Sequence, residues 1–473
     1  GVPMWVFYVN RGQAIASFGI ESKENPILEF QPANKAYRLT SSVGFRTFIK
    51  LQRQANNTFY EPFAPWSPGQ PSRQMHIGMN ELELRECHQQ IGLDTQVRYF
   101  ILPGEPLAGL VRQVTIENIG SEPIDLELLD GLPAVIPYGA DNGALKHVSC
   151  TIEAWMQVEH YQQNKPFYRL RASAADRAEV STIVAGHFAS GSSEVNQAVQ
   201  QLPVIIDPAL VFGEDTSLYA PTRFLDHSLD DLFAMPQIDT GKTPCAFFGL
   251  TKSLQPGESV TLQSVYGHVT GYENLLKQAP RLSDPAYLDQ KRDQAQELVH
   301  DLTETVHTQT ASPRFDAYVR QTFLDNLLRG GWPVMLGGSP RQHSYHIYSR
   351  KHGDLERDYN HFFLAAEFFS HGNGNYRDVN QNRRNDVRLK PDVEAQNIRD
   401  FLSLIHLDGY NPLVIQGTSF QLPAEARESI LTLVAAPETL SPLLERNFTP
   451  GELLKFIADH HIDLSVSRQD FLD

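Results

Sequence analysis

The densest gathering of groups able to do chemistry lies between His371 and Asn385. There His371-Gly372-Asn373-Gly374-Asn375-Tyr376-Arg377-Asp378-Val379-Asn380-Gln381-Asn382 runs on into Arg383 and Arg384. Sugars are held by planar amides and carboxylates that grip neighbouring hydroxyls, and by aromatic rings laid on their apolar faces. Tyr376, Arg377, Asp378, Asn380 and Gln381 supply all of these in one short run. The same composition suits a solvated helix connection, because Asn and Gly dominate turns. Both readings stand on composition alone. Trp332, directly after Gly330-Gly331, can stack on a sugar ring or fill a core.

His343 and His346 have an HxxH spacing, with His352 and His361 nearby. No acidic third ligand falls at a familiar distance, so no metal site is predicted. Arg350, Asp354, Glu356, Arg357 and Asp358 read as a surface charge network. The chain holds no G-x-x-x-x-G-K-[ST] loop, no G-x-G-x-x-G fingerprint and no G-x-S-x-G elbow. That argues against nucleotide enzymes and serine hydrolases.

The elements that must position these residues change character along the chain. Residues 1 to about 270 read as β, in short strands separated by turn signals, which favours a large antiparallel sandwich. Trp5 to Val9 and Ala14 to Phe18 flank Asn10-Arg11-Gly12 as a hairpin. Leu110 to Glu117 alternates, turns at Asn118 to Pro123 and returns from Ile124. Cys245 to Leu250 and Val260 to Tyr266 repeat the pattern around Pro256-Gly257. Asp176 to Tyr219 is less regular and reads as long loops.

After residue 282 the period becomes helical. Ser283 or Asp284 caps a helix with Pro285 at its first position and Leu288, Ala295, Leu298, Val299, Leu302 and Val306 on one face. From Ser312 helices follow one another: Phe315 to Arg329 stopping at Gly330-Gly331, Glu356 to Ser370, and Val393 to Leu407 stopping at Gly409. Thr449-Pro450-Gly451-Glu452 predicts a capping box, and Ser467 opens a final helix that looks cut off. The fold class is thus multidomain, β then α.

Composition bounds the partners. A net charge of -16 over 473 residues argues against a nucleic-acid partner, which needs a basic stripe. A neutral sugar suits an acidic surface. Three widely spaced cysteines, Cys87, Cys150 and Cys245, offer no disulfide framework and fit a reducing, cytoplasmic location. No apolar run is long enough for a transmembrane helix. The opening Gly1-Val2-Pro3-Met4-Trp5 is neither a signal peptide nor a native start, so the chain is expected to begin inside a longer protein.

The segment Tyr376-Arg377-Asp378-Val379-Asn380-Gln381 resembles the Tyr/Phe-Arg-Asp-x-x-Gln motif of the inverting glycoside phosphorylase family that includes cellobiose phosphorylase. The order of architectures is similar too. The resemblance implies a β-sandwich over residues 1–275, a helical linker over 276–311, and the N-terminal part of an (α/α)6 barrel over 312–473. Gly1 to Gln13 and Leu324-Asp325-Asn326-Leu327-Leu328-Arg329-Gly330-Gly331 resemble the 1,2-β-oligoglucan phosphorylase branch. The family's motif lines the subsite for the non-reducing-end sugar, so Arg377 and Asp378 are expected to hold glucose hydroxyls with Gln381 in support.

The reaction implied is reversible phosphorolysis of β-1,2-linked glucooligosaccharides, with inversion, to α-glucose 1-phosphate. Inorganic phosphate is the co-substrate and no cofactor is needed. This is the inverting scheme with phosphate in place of activated water. The family's general acid sits in an Asp-Trp-Asn-Asp-like string that this chain lacks, as it lacks the later phosphate-binding segment. The catalytic residue is therefore expected outside the chain, in a missing or separate remainder of the enzyme, and the chain alone is expected to be inactive. Family members are often dimers, which makes a homodimer an expectation of the resemblance. The alternatives are the phosphorylase-like part of a cyclic β-1,2-glucan synthase, a β-glucan hydrolase, or a non-catalytic sugar-binding protein.

Overall fold

The computed structural model describes residues 2, 4–53, 56–173, 179, 181–195, 198–337, 342–347 and 374–473. They form two compact units, Gly1–His300 and Asp301–Asp473. In the first, a five-stranded sheet carries the central strand Ile124–Leu132 between Arg46–Arg53 and Ala246–Leu254. A nine-stranded sheet carries Ala108–Asn118 between Leu93–Ile101 and Ser259–Val269. Both are antiparallel along these strands. Their inner faces share one apolar core, with Ile49, Leu126 and Phe248 from one sheet and Val97, Val114, Leu262 and Tyr266 from the other. This is a sandwich, as the turn spacing predicts.

The expected hairpin at the start is present: Met4–Tyr8 pairs with Ile15–Ile20. The two later turns are a correction. Ala108–Asn118 does not pair with Ile124–Leu132, nor Ala246–Leu254 with Ser259–Val269. Each turn instead carries the chain from one sheet to the other, and strands pair across the two turns. Asn118, fully buried, joins the corners. Its N–H donates to Glu258 O at 2.9 Å, its carbonyl accepts from Gly257 N at 2.7 Å, and its amide donates to Glu122 O and Leu254 O. Alternation alone cannot tell a hairpin from a corner, because both flank a turn with period two.

A second correction concerns Asp176 to Tyr219. Gly186–Val195 is a strand in the nine-stranded sheet, not part of a loop. Its run of small residues hides the period. Gly191 is required there because a Cβ would lie 2.4 Å from the Phe248 ring packed across the core.

The outer faces are covered differently. Phe48, Leu129 and Phe247 of the five-stranded sheet lie under Phe212, Phe224 and Leu232 from short helices. Phe100, Val111, Phe188 and Val265 of the nine-stranded sheet lie under Leu275, Leu282 and Leu288. Those come from the helix Tyr272–Leu282, which periodicity missed, and from Pro285–Thr303, whose first turn Asp284 caps by accepting from Ala286 N at 3.0 Å.

Between the sheets sits a charged cluster. Arg112 and Asp130 are fully buried and paired twice, Nη2 to Oδ1 at 2.6 Å and Nε to Oδ2 at 3.0 Å. Thr47 donates to Asp130 Oδ1 at 2.6 Å, Arg112 also donates to Gln13 and Tyr99, and Tyr99 donates to Gln13 O at 2.9 Å. Burial alone would weaken the guanidinium's hold on its proton, but the Asp130 charge outweighs it and pushes the Arg112 pKa up.

The second unit departs from an all-helical reading. The helix Pro313–Gly330 ends as expected, with Gly331 at φ 87°. A hairpin follows, Trp332–Leu336 with His343–Ile347, and a short pair joins Gly374–Asn375 to Val414–Ile415. The expected helix over residues 356–370 lies outside the described residues, and among those described no barrel is shown. Val393 to Leu407 narrows to a helix over Gln396–Ser403. Thr449 accepts from Glu452 N at 3.1 Å to cap Pro450–Asp459, and Ser467 caps Arg468–Leu472. Leu440, Leu444, Leu453, Ile457 and Phe471 form this unit's main core. No described helix is long and apolar enough to cross a membrane.

Arg112→Met leaves Asp130 charged, buried and half-paired, and is expected to cost about 3–5 kcal/mol of stability. Pairing it with Asp130→Leu should recover most of that loss, read as the denaturant midpoint of the first unit.

Candidate functional site

The candidate loop is largely a helix. Asn375 ends its short strand and caps the helix Tyr376–Arg383 by accepting from Arg377 N at 3.0 Å. Tyr376 is half-buried, its ring 5.3 Å from Phe401 and its hydroxyl donating to Phe401 O at 2.9 Å. Val379 and Arg383 are buried, and with Tyr376 they mark the inner face of the helix. Arg377, Asn380 and Gln381 are exposed, and their spacing sets them on one face. Asp378 lies within the helix, but its side chain is outside the described residues.

Under that helix lies a polar anchor. Asp386, at the start of the short helix Asp386–Leu389, is almost fully buried. Its Oδ2 accepts from His346 Nε2 at 2.7 Å and from Asn397 Nδ2 at 2.7 Å, with Arg383 Nε at 3.5 Å. His346 stands on the hairpin strand His343–Ile347, opposite Pro333 and next to the pairing of Trp332 with Ile347. Trp332 is thus a half-buried strand residue. A cleft of about 290 Å³ opens beside the anchor, lined by Asp386, Arg388, Asn326, Phe323 and Thr305.

Burial pushes the His346 pKa down to about 4, and the hydrogen bond to Asp386 does not offset this; Arg383 adds to the depression. The imidazole is neutral at pH 7, with its Nε2 proton directed at a group that can only accept. Such a pair positions a helix; it is not poised to exchange protons near neutrality. Sequence reading set His346 aside as a metal ligand and assigned no role to Asp386. The missed signal is the Arg383/Asp386 spacing, which sets opposite charges one turn apart. Among the described residues no three His, Cys, Asp or Glu side chains are placed to hold a metal ion. Residues 348–373, including His352, His361, His371 and the expected charge network, lie outside the described residues.

No family model matches the chain, and no curated protein does. Solved structures are similar in part. A bacterial glucoamylase complexed with acarbose shares 9% identity at a TM-score of 0.36, over 97% of this chain and 61% of that one. A proposed kojibiose phosphorylase from the human microbiome shares 8% at 0.24, over 71% and 32%. A polysaccharide lyase shares 11% at 0.32, over 58% and 33%. The chain therefore spans about a third of the lyase and the phosphorylase. At such TM-scores the shared shape is too partial to carry a functional reading.

The unfolded chain protonates His346 near its ordinary 6.5, and the folded chain only near 4. Its neutral state in the fold therefore costs nothing above pH 6.5, and stability falls as pH drops from 6.5 to 4, by roughly 3 kcal/mol at most. His268, also near 4, and His187, which burial pushes well below its ordinary value, act with the same sign in the first unit. His346→Gln should lower the thermal midpoint of the second unit at pH 7 but flatten its decline between pH 6.5 and 4. An unchanged slope would assign that acid sensitivity elsewhere.

Proposed function

We propose that this chain is the sugar-holding part of an inverting glycoside phosphorylase acting on β-1,2-linked glucooligosaccharides. The observation that carries the reading is the Tyr-Arg-Asp-x-x-Gln segment, which resembles that family's motif and lies on a capped helix. The buried face of the helix is anchored by Tyr376, Val379 and Arg383, while Arg377, Asn380 and Gln381 are exposed. A guanidinium and two side-chain amides on one face match a ring of hydroxyls that both donate and accept. Arg377, Asp378 and Gln381 hold the non-reducing-end glucose, with Tyr376, Asn380 and Trp332 around it.

In the reaction, a carboxylic acid protonates the glycosidic oxygen as the bond to the anomeric carbon breaks. Phosphate attacks that carbon from the opposite face, giving α-glucose 1-phosphate and a shortened glucan. Phosphate is already a nucleophilic anion, so one carboxyl suffices, and that acid is expected outside this chain. The same reading makes the enzyme a cytoplasmic homodimer that needs no cofactor.

Calorimetry with sophorose tests it. The chain should bind sophorose, and Arg377→Ala should weaken that binding about tenfold or more. With phosphate present, the chain alone should release no glucose 1-phosphate. Cleavage of sophorose without phosphate would replace the reading with a hydrolase. Binding indifferent to Arg377→Ala would remove the motif from the site.

A further inference from the structure

The outer face of the nine-stranded sheet changes character along its strands. Beneath the covering helices it is apolar, at Phe100, Val111, Phe188 and Val265. Further along the strands it becomes a polar row, set by register: Ser192 opposite Gln263, Gln263 opposite Gln113, Gln113 opposite Arg98, and Arg98 opposite Glu83. Thr261 and Thr115 begin the next row, paired with each other and joined Oγ1 to Oγ1 at 2.8 Å. A cavity of about 290 Å³ stands on this floor, walled by Pro285 and Asp289 of the helix Pro285–Thr303, with Glu194 also lining it. That is near the low end of ligand pockets, about 300–1,000 Å³.

Part of the row is explained by docking of the helix. Gln113 Nε2 donates to Asp289 Oδ1 at 3.1 Å, Arg98 pairs with Glu83 at 2.9 Å, and Arg292 pairs with Glu81. Docking does not explain the other end. Gln263 is 7% exposed and Ser192 1%, yet Gln263 Oε1 and Ser192 Oγ are buried with no hydrogen-bond partner among the described residues. They are direct cross-strand neighbours: Gln263 lines the cavity, and Ser192 stands beside it on the next strand, outside the lining. Leaving one such group unsatisfied costs about 1–3 kcal/mol. A fold that keeps two together needs a reason outside its own packing.

We infer that this cavity is a second binding site, for a neutral, hydroxyl-rich saccharide of one or two rings. Side-chain amides, hydroxyls and carboxylates around one floor complement hydroxyls, which donate and accept at once. An anion is disfavoured, since Asp289 and Glu194 line the cavity and Arg98 is already shared with Glu83 and Glu81. With no aromatic ring among the described residues that line it, the site holds its ligand weakly. It lies wholly within the first unit, independent of the residues around Arg377 and of the phosphorylase reading.

The test uses saturation-transfer NMR with glucose and sophorose on the full chain carrying Arg377→Ala, which weakens the other candidate site, so the response to Gln263→Leu assigns the remaining signal. Saccharide signals should titrate in the millimolar range. Adding Gln263→Leu should weaken binding about tenfold or more, and it should raise the thermal midpoint of the first unit by about 2 °C or more, because an unmet polar group is replaced by an apolar one of similar size. Ser192→Ala, a one-atom change, should weaken binding in the same direction. No saccharide signal in the Arg377→Ala chain, or binding unchanged by both variants, overturns the inference. A Gln263→Leu midpoint that falls instead shows the amide to be structural and equally overturns it.

Discussion

The first unit is organised around a charge that has no access to water. Arg112 enters the sandwich from the nine-stranded sheet and Asp130 from the five-stranded one, and each is fully buried. Neither is tolerable alone, because taking an unpaired charge out of water costs several kcal/mol. The two sheets must therefore meet in the one register that makes this pair bidentate and brings Thr47, Tyr99 and Gln13 to the remaining donors and acceptors. An apolar core could slide by a residue pair with modest loss; this one cannot. The corners at Asn118 and Gly257 follow, since strands adjacent in sequence must change sheets to keep both residues inside.

Once the inner faces are fixed, strict alternation fixes the outer ones. The five-stranded sheet presents phenylalanines that short helices bury. The nine-stranded sheet presents an apolar patch that the connecting helices cover, and then a polar floor that they leave open. The second unit repeats the device on a smaller scale. There Asp386 gathers His346, Asn397 and Arg383 beneath the helix bearing Arg377 and Gln381. In both units a buried polar cluster sets geometry, and the groups suited to holding sugar hydroxyls lie on the opposite face of the same element.

Local signals were legible in the sequence. The first hairpin, the cap at Thr449, the Gly331 stop and the helix from Pro285 each depend on residues close in the chain, where propensity and capping rules apply directly. What escaped was long-range. Nothing near Asn118 or Pro256 says that the next strand joins another sheet. Residues 186–193 of this strand are buried on both faces and mostly small, so its period is mute. The hairpin at Trp332 and His346 carries no strand signal, because Pro333 and two histidines resemble neither strand nor helix. The motif at Tyr376 was visible as composition, but that it forms a helix with one exposed face was not. Gln263 and Ser192 were invisible as a pair, because only the sheet register makes them neighbours.

Native-state hydrogen exchange tests the claim that the buried Arg112 cluster binds the two sheets into one cooperative body. Amides in Ala108–Asn118 and in Ile124–Leu132 belong to different sheets, yet they should exchange through one shared opening with the same free energy and the same denaturant dependence. Two distinct opening energies, with one sheet exchanging while the other stays protected, would contradict it.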